Sequence, residues 1–237
     1  MKPISISSSL QLQEMSLKHL ENDQVLKIHQ KVFPPCYHEQ TKDVLFVFQQ
    51  RPGCFGFSVV SETKEPAVYP HVVGYIYGFP MDPFQRIPSI PAINPNEIIP
   101  SSVPHYLTPL FLYDCCIDPS YQGQKLGQTL VKTFIQKALS LGYRSRIWGV
   151  AVDKTVQSFW IRMGFKTVSK AVSDPPEKFI IGSEDWWTAI ETRMELPAIF
   201  DHTGILSLFF KTLSKDSYFM VFSLANDASP TPEASTA

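Results

Sequence analysis

The order of hydrophobic and polar residues predicts alternating strands and helices along most of the chain. Apolar and polar residues alternate at residues 10–15, which indicates a short strand. A first helix is predicted next, because residues of one face recur at helical spacing: Val25, Leu26, His29, Val32 and Phe33. A second helix is predicted at residues 39–50, and residues 55–59 and 72–77 alternate as the two strands of a hairpin.

The second half of the chain carries the strongest patterns. A mainly apolar run at residues 110–117 predicts a buried strand, and an amphipathic helix follows it after a short turn. The predicted elements of this half are strand 110–117, helix 127–141, strand 147–152, helix 153–163 and the strand pair 166–172 and 188–196. Strands and helices in this order predict a fold of the α/β (α+β) class.

A proline-rich segment and a C-terminal change of composition set the predicted boundaries. Residues 80–109 hold eight prolines, which rules out a regular helix or a central strand and leaves a packed loop or lid as the interpretation. We expect one domain over residues 1–197 with this loop inserted in it. Residues 198–226 are predicted to be an apolar extension, and residues 227–237 a disordered tail.

Composition narrows the class of protein. The 237 residues are 44% hydrophobic and 13% aromatic, as in a packed globular protein, and a net charge of -1 argues against nucleic acid or an acidic membrane as partner. The 4 cysteines form no CxxC pair, so neither a disulfide framework nor a metal site is expected. No secretory signal or membrane-spanning run is visible, which predicts a cytoplasmic protein and leaves a nuclear location open.

A loop directly after the strand at 110–117 suggests the chemistry. It reads Gln122-Gly123-Gln124-Lys125-Leu126-Gly127 and leads into a helix, so several backbone N–H groups converge where a pyrophosphate could bind. The loop resembles the acetyl-CoA-binding signature Gln/Arg-x-x-Gly-x-Gly/Ala of the GCN5-related N-acetyltransferases (GNAT). Lys125 stands where that signature has a glycine.

A second stretch carries the same resemblance. Residues 153–165 match the spacing of the family pattern Asn-x-x-Ala-x-x-Phe/Leu-Tyr-x-x-x-Gly-Phe and keep its Gly164-Phe165. The resemblance covers roughly residues 10–197 and implies a mixed sheet of about seven strands, splayed between the fourth and fifth, with helices on both faces. Short matches at residues 33–35 and 184–187 resemble the arylalkylamine/polyamine N-acetyltransferase branch.

The resemblance implies acetyl-CoA as co-substrate and direct attack on it by a primary amine, in a ternary complex. The substrate it implies is a small arylalkylamine or polyamine. It assigns cofactor binding to strand, loop and helix residues: Cys115, Cys116, Ile117, Gln122, Gly123, Gln124, Lys125, Leu126, Gly127, Gln128, Asp153, Phe159 and Trp160. Aromatic residues could line an acceptor pocket, and two acids could attract a cation: Tyr75, Tyr77, Phe84, Trp186, Trp187, Glu184 and Asp185.

The catalytic residues depart from the family. Positions that hold a histidine or glutamate base in related branches hold Phe111 and Tyr113, so the candidates for a base are Tyr113, Asp114 and His105. Strand alternation predicts Tyr113 on the same face as Cys115 and Ile117, with Asp114 on the other. Trp160 takes the place of the usual tyrosine acid and offers only an N–H donor.

Two alternative functions are compatible with the sequence. One is acetylation of a protein lysine or N-terminus. The other is an acyl-CoA-binding module with little catalytic activity, which the departures at the catalytic positions favour. Whether the protein is a monomer or a dimer is left open.

Overall fold

Eight strands form one mixed sheet in the computed structural model, which describes residues 4–7, 9–15, 23–33, 53–61, 71–80, 109–170 and 218–224. The strands are β1 Ile4–Ser7, β2 Leu10–Glu14, β3 Phe55–Ser61, β4 His71–Pro80, β5 Leu110–Ile117, β6 Arg146–Ala151, β7 Lys166–Lys170 and β8 Tyr218–Ser223. Their order in the sheet is β1-β2-β3-β4-β5-β6-β8-β7. Three helices of this part of the chain are α1 Gln24–Val32, α2 Leu126–Ser140 and α3 Lys154–Arg162, and a 3₁₀ turn spans Pro119–Tyr121.

The two halves of the sheet meet at its one parallel pair. Strands β1 to β5 are antiparallel neighbours, and β8 lies antiparallel between β6 and β7. Between β5 and β6 the parallel ladder contains only Leu110 opposite Ile147 and Phe111 opposite Trp148. The predicted mixed, splayed sheet is therefore confirmed. The splay was predicted between the fourth and fifth strands and lies between β5 and β6. The numbers differ by one because β1 was not among the predicted strands, the first of which corresponds to β2.

Helices cover both faces of this sheet, as predicted. On one face α2 packs over β3, β4 and β5, with Leu130 and Phe134 in the larger core cluster. Helix α3 joins the same cluster through Trp160. On the other face α1 packs against β4 and β5, with Val25 and Ile28 in a second, smaller cluster. No helix in the described ranges is long and apolar enough to cross a membrane.

One predicted boundary changes. Residues 218–223 were expected in an extension beyond the domain, but they form β8, which pairs with both β6 and β7 inside the sheet. The pairing is between segments far apart in sequence, which local patterns do not reveal. Several predicted features lie outside the described residues: helix 39–50, most of the proline-rich segment, strand 188–196 and the tail at 227–237.

Candidate active site

A gap opens in the sheet where β5 separates from β6. Beyond Phe111 and Trp148 no ladder joins these two strands in the described part of the chain, while residues 112–117 of β5 continue to pair with β4. A strand paired on one side only directs the backbone N–H and C=O groups of its other side into the gap. A ligand that enters there can therefore pair with main-chain groups of β5.

A β-bulge at Tyr113 turns the side chains of β5 at the start of this gap. Tyr77 lies opposite Asp114 and Gly78 opposite Leu112, so Tyr113 is the extra residue of the bulge. Tyr113 packs against the α1-face cluster and stacks on Tyr77, with ring centroids 5.5 Å apart. The predicted face of Tyr113 is therefore wrong: it lies with Asp114 on the α1 face, not with Cys115 and Ile117 under α2. One inserted residue breaks the alternation on which that prediction depended.

The loop between β5 and α2 is held by its own side chains. The carboxylate of Asp118 accepts hydrogen bonds from the Ser120 backbone N–H at 3.0 Å and hydroxyl at 2.6 Å. Gln122 Nε2 donates to the carbonyl of Ile117, the last residue of β5, at 3.2 Å. The chain then reverses through Gly123 and Lys125, with φ of 81° and 62°, into α2. The first N–H groups of α2 have no intrahelical acceptors and so are available to an anion.

The two sequence motifs meet at Gly127, in the first turn of α2. A Cβ placed on this residue would lie 3.4 Å from the ring of Phe159 in α3 and 3.9 Å from the Ile117 side chain. The structure thus brings the end of β5, the start of α2 and α3 together at one edge of the gap. Asp153 lies at the start of α3, where its carboxylate accepts a hydrogen bond from the Val156 N–H at 2.9 Å. Its observed contact is therefore that of a helix cap.

Trp160 carries a buried hydrogen-bond donor. The residue is only 5% exposed, and its Nε1–H has no hydrogen-bond partner among the described residues. Its ring contacts Phe159 and Phe165, with centroids 5.1 and 5.0 Å away. A buried N–H left unpaired costs about 1–3 kcal/mol, which favours an acceptor supplied by a ligand.

Asp114 lies at the centre of a buried polar cluster on the α1 face. Its Oδ2 accepts a hydrogen bond from the Tyr75 hydroxyl at 2.7 Å and lies 2.9 Å from His29 Nδ1. Its Oδ1 accepts one from the Cys116 thiol at 3.2 Å. Burial raises the pKa of Tyr75 and of Cys116 well above their usual values, and the Asp114 charge adds to both shifts. Both groups therefore stay protonated donors near neutral pH.

The cluster changes two sequence interpretations. His29 was placed only on the apolar face of a helix, yet it joins Asp114 from 85 residues away. No sequence signal identifies it beyond a lone histidine on that face. Cys116, predicted to bind cofactor with Cys115, faces α1 instead. The ligand atoms of His29, Asp114 and Cys116 lie within 4.8 Å of one another, a donor set that zinc also uses, but hydrogen bonds already connect each of them.

A second contact joins α1 to the loop. Lys31 Nζ lies 2.6 Å from Asp118 Oδ2, and the Asp118 side chain is 5% exposed. The hydrogen bonds from Lys31 and Ser120 lower the pKa of Asp118 to about 2. Of the remaining candidate residues, Tyr75 and Tyr77 are buried on the α1 face. His105 lies outside the described residues, as do Phe84, Glu184, Asp185, Trp186 and Trp187.

A mixed sheet that separates beside a helix N-terminus is the arrangement of the GNAT fold. The chain belongs to the acetyltransferase (GNAT) family, because the model of that family matches residues 22–165, more than half of its length. No curated protein sequence matches the chain significantly.

Solved structures of low sequence identity share the fold. NAA60 of Arabidopsis thaliana in complex with acetyl-CoA is 11% identical, with a TM-score of 0.52 over 91% of this chain and 99% of that one. A GNAT-family protein from Desulfovibrio desulfuricans is 11% identical, with a TM-score of 0.51 over 92% and 100%. The ribosomal-protein-S18-alanine N-acetyltransferase from Escherichia coli is 11% identical, with a TM-score of 0.50 over 93% and 97%. At this identity the likeness shows the fold alone.

Proposed function

We propose that this protein is an acetyl-CoA-dependent N-acetyltransferase that acetylates the primary amine of a small arylalkylamine or polyamine. The observation that carries the proposal is the gap between β5 and β6 beside the unpaired N-terminus of α2. This arrangement offers main-chain hydrogen bonds to an extended pantetheine arm and converging N–H groups to a pyrophosphate. Bound acetyl-CoA would supply the activated acetyl group.

The residues around the gap fit such a co-substrate. The buried Trp160 N–H lacks an acceptor in the described part of the chain, and a thioester sulfur or a pantetheine carbonyl would supply one. Gly123 leaves open space around its backbone, so a phosphate can approach the loop closely. The first turn of α2 would face the pyrophosphate with the positive end of its dipole.

The acceptor class is inferred from the opposite face of the sheet. Rings there contact one another along β4 and β5, from Asp114 towards the start of the gap: Tyr75, Tyr77, Tyr113, Phe79 and Phe111. Tyr113 is partly exposed, while the others are buried. Of the two proposed acceptors these rings favour the arylalkylamine, because a polyamine is strongly polar.

Trp160 also favours a second candidate, an acyl-CoA-binding module with little turnover. An indole can donate a hydrogen bond to sulfur but cannot give up its proton to it. A thiol has an ordinary pKa of about 8.5, however, so a thiolate can leave without full protonation. The tryptophan is therefore compatible with catalysis and does not require it.

One set of measurements separates the candidates. Calorimetry tests acetyl-CoA binding, and thiol release tests turnover with arylalkylamines, polyamines and a histone peptide. We expect binding, with turnover on one of the small amines. Turnover on the peptide alone would favour protein acetylation, and binding without turnover would favour the acyl-CoA-binding module. Absence of acetyl-CoA binding would contradict the proposal at its first step.

A further inference from the structure

Gly149 lies in the middle of β6, where its neighbours in the sheet do not require a glycine. Three other strand glycines differ from it, because a Cβ on Gly56, Gly74 or Gly78 would lie 2.5 Å from an atom of the adjacent strand. Among the described residues, a Cβ on Gly149 would meet only the carbonyl oxygen and the Cβ of Leu112, at 3.7 and 3.9 Å. These are ordinary van der Waals distances, so the structure has space there for one more methyl group.

The backbone does not require a glycine at this position either. Gly149 does not have the positive φ that side chains rarely adopt. It pairs in regular register with Met220 of β8, without a bulge. A glycine inside a strand weakens the strand, and it often marks a bulge or a place where a ligand or another backbone approaches closely. Because no bulge and no close backbone explain Gly149, a ligand is the remaining reason.

Gly149 lies at the inner end of the gap between β5 and β6. It directly follows Trp148, the last residue of β6 that pairs with β5. Strand alternation places it on the same face as Ile147 and Ala151, which belong to the larger core cluster under α2. Leu112, its neighbour across the gap, belongs to that cluster as well. The space at Gly149 is therefore on the face of the sheet where the co-substrate would bind.

The length of the pantetheine arm connects this space with the loop. The pyrophosphate would bind at the first turn of α2, next to Ile117 at the end of β5. From there to the sulfur the arm has about twelve bonds, which extend over about 14 Å. About four residues of a strand cover the same length. An arm that runs back along β5 therefore places the thioester near Tyr113 and Leu112, with the acyl group beside Gly149.

The gap gives such an arm a way in from the loop. Cys115 and Ile117 of β5 and Phe159 of α3 lie on the α2 face and are only partly buried. Leu112 and Gly149, further from the loop, are buried. The described part of the gap is thus open to solvent near the loop and closed at Gly149, as a site for the end of an acyl chain requires.

We propose that the space at Gly149 admits the third carbon of an acyl group, so that the protein transfers propionyl from propionyl-CoA as well as acetyl. The inference rests on the proposed function and names a second acyl donor for that site. The amine nitrogen forms a bond to the thioester carbon, and the carbon–sulfur bond breaks with its electron pair remaining on sulfur. The proton that the nitrogen loses balances the thiolate, so the products are a propionamide and CoA. Gly149 is the residue that determines this specificity.

The test measures kcat/KM for propionyl-CoA and acetyl-CoA by thiol release, with the most active amine of the panel. In the natural protein we expect the two values to agree within about tenfold. In Gly149→Ala the ratio of propionyl-CoA to acetyl-CoA should fall about tenfold or more, because the alanine methyl fills the space and one methyl in such a pocket changes kcat/KM about 10–200-fold. The ratio cancels any general loss of activity. The melting temperature of Gly149→Ala should not fall, since a Cβ fits there.

Ile147→Val is the matched control, because it changes one methyl group on the same strand and face but outside the gap. It should lower the melting temperature and leave the ratio unchanged. An equal fall of the ratio in Ile147→Val, or a lower melting temperature of Gly149→Ala, would contradict the inference.

The natural protein provides a test that needs no variant. If it transfers acetyl but uses propionyl-CoA more than about 100-fold less well, the inference is wrong and the proposed function stands. If neither donor is turned over with any amine, the proposed function is wrong. The dissociation constants of the two acyl-CoAs, measured by calorimetry on the natural protein and Gly149→Ala, then decide the inference separately. A selective loss of propionyl-CoA affinity in Gly149→Ala would support it, and an equal effect on both ligands would contradict it.

Discussion

The two faces of β5 differ in the kind of polar group that they offer. On the α2 face these are main-chain groups of the gap and of the helix N-terminus, surrounded by apolar side chains such as Ile117 and Phe159. On the α1 face they are side chains, with Asp114 bonded to residues from β4 and β5 and adjoining His29 of α1. A main-chain site depends on backbone shape, whereas a side-chain cluster depends on every member.

This difference explains why the loop on the α2 face can depart from the family motif and keep its backbone conformation. Lys125 stands where the motif has a glycine and has the left-handed conformation that glycine adopts most readily, and the loop still leads into α2. A comparable exchange on the other face would leave a buried polar atom without a partner. The two faces should therefore respond differently to substitution.

Of the substitutions considered, Gly127→Asp should have the largest effect, which is a loss of acetyl-CoA binding on the α2 face. The new carboxylate would stand at the helix N-terminus against the phosphates, and like charges placed together cost several kcal/mol. We expect acetyl-CoA affinity to fall by about 100-fold or more, measured by calorimetry. Gly127→Ala is the control, because its Cβ would meet the Phe159 ring at a nearly ordinary 3.4 Å. Equal affinity of Gly127→Asp and the natural protein would contradict the assignment of the loop.

Asp118→Asn tests the contact that joins the two faces. The pKa of Asp118 is lowered to about 2, so its ionised form stabilises the native state above the unfolded pKa near 4. Lys31 is 56% exposed, and water therefore weakens the ion pair. We expect a loss of about 1–2 kcal/mol at pH 7, measured by urea denaturation.

The sign of the pH dependence provides the check on that prediction. The stabilising contribution is complete above about pH 5 and is lost as pH falls from about 4 to 2. The difference between Asp118→Asn and the natural protein should therefore be equal at pH 7 and pH 5 and about half as large at pH 3. A difference that stays constant down to pH 3 would show that the Asp118 charge contributes nothing.

Trp160→Phe removes the buried indole N–H, which has no acceptor among the residues that the structure describes. If the N–H donates to the co-substrate, kcat/KM should fall about tenfold, which corresponds to one hydrogen bond of about 1.4 kcal/mol. Phe165→Leu is the control, since Phe165 packs on the Trp160 ring at 5.0 Å but carries no donor. It should lower stability and leave the rate constants nearly unchanged. An unaltered kcat/KM in Trp160→Phe would assign Trp160 to packing.

The α2 face was largely predictable from sequence, and the α1 face was not. Local rules predicted the strand, the loop and the helix around Gly127, because each depends on neighbours along the chain. The cap at Asp153 is equally local. Two partners of Asp114, Tyr75 and His29, come from 39 and 85 residues away, and no spacing rule connects them with it.

Two further features escaped prediction for the same physical reason. The bulge at Tyr113 is set by its pairing with β4, and one extra residue moves that side chain to the other face. Strand β8 has an apolar pattern that suits any buried segment, and only its partners β6 and β7 make it part of the sheet. Pattern predicts which residues are buried more reliably than it predicts what they contact.

Lys125→Gly should have the smallest effect and separates backbone shape from charge on the α2 face. Lys125 has a φ of 62°, a conformation that costs a side chain about 1–2 kcal/mol and glycine almost nothing. Glycine also gains freedom in the unfolded chain, so we expect a net stabilisation of about 0.5–1 kcal/mol in thermal unfolding.

Lys125→Ala is the matched variant, since it removes the ammonium and keeps the strain. If the ammonium contacts a phosphate, both variants should bind acetyl-CoA a few-fold more weakly, with a smaller dependence on salt. Only Lys125→Gly should gain stability. Equal stability of the two variants would contradict the strain argument. If both variants bind acetyl-CoA as tightly as the natural protein does, the Lys125 ammonium does not contact a phosphate, and only main-chain groups of the loop bind it.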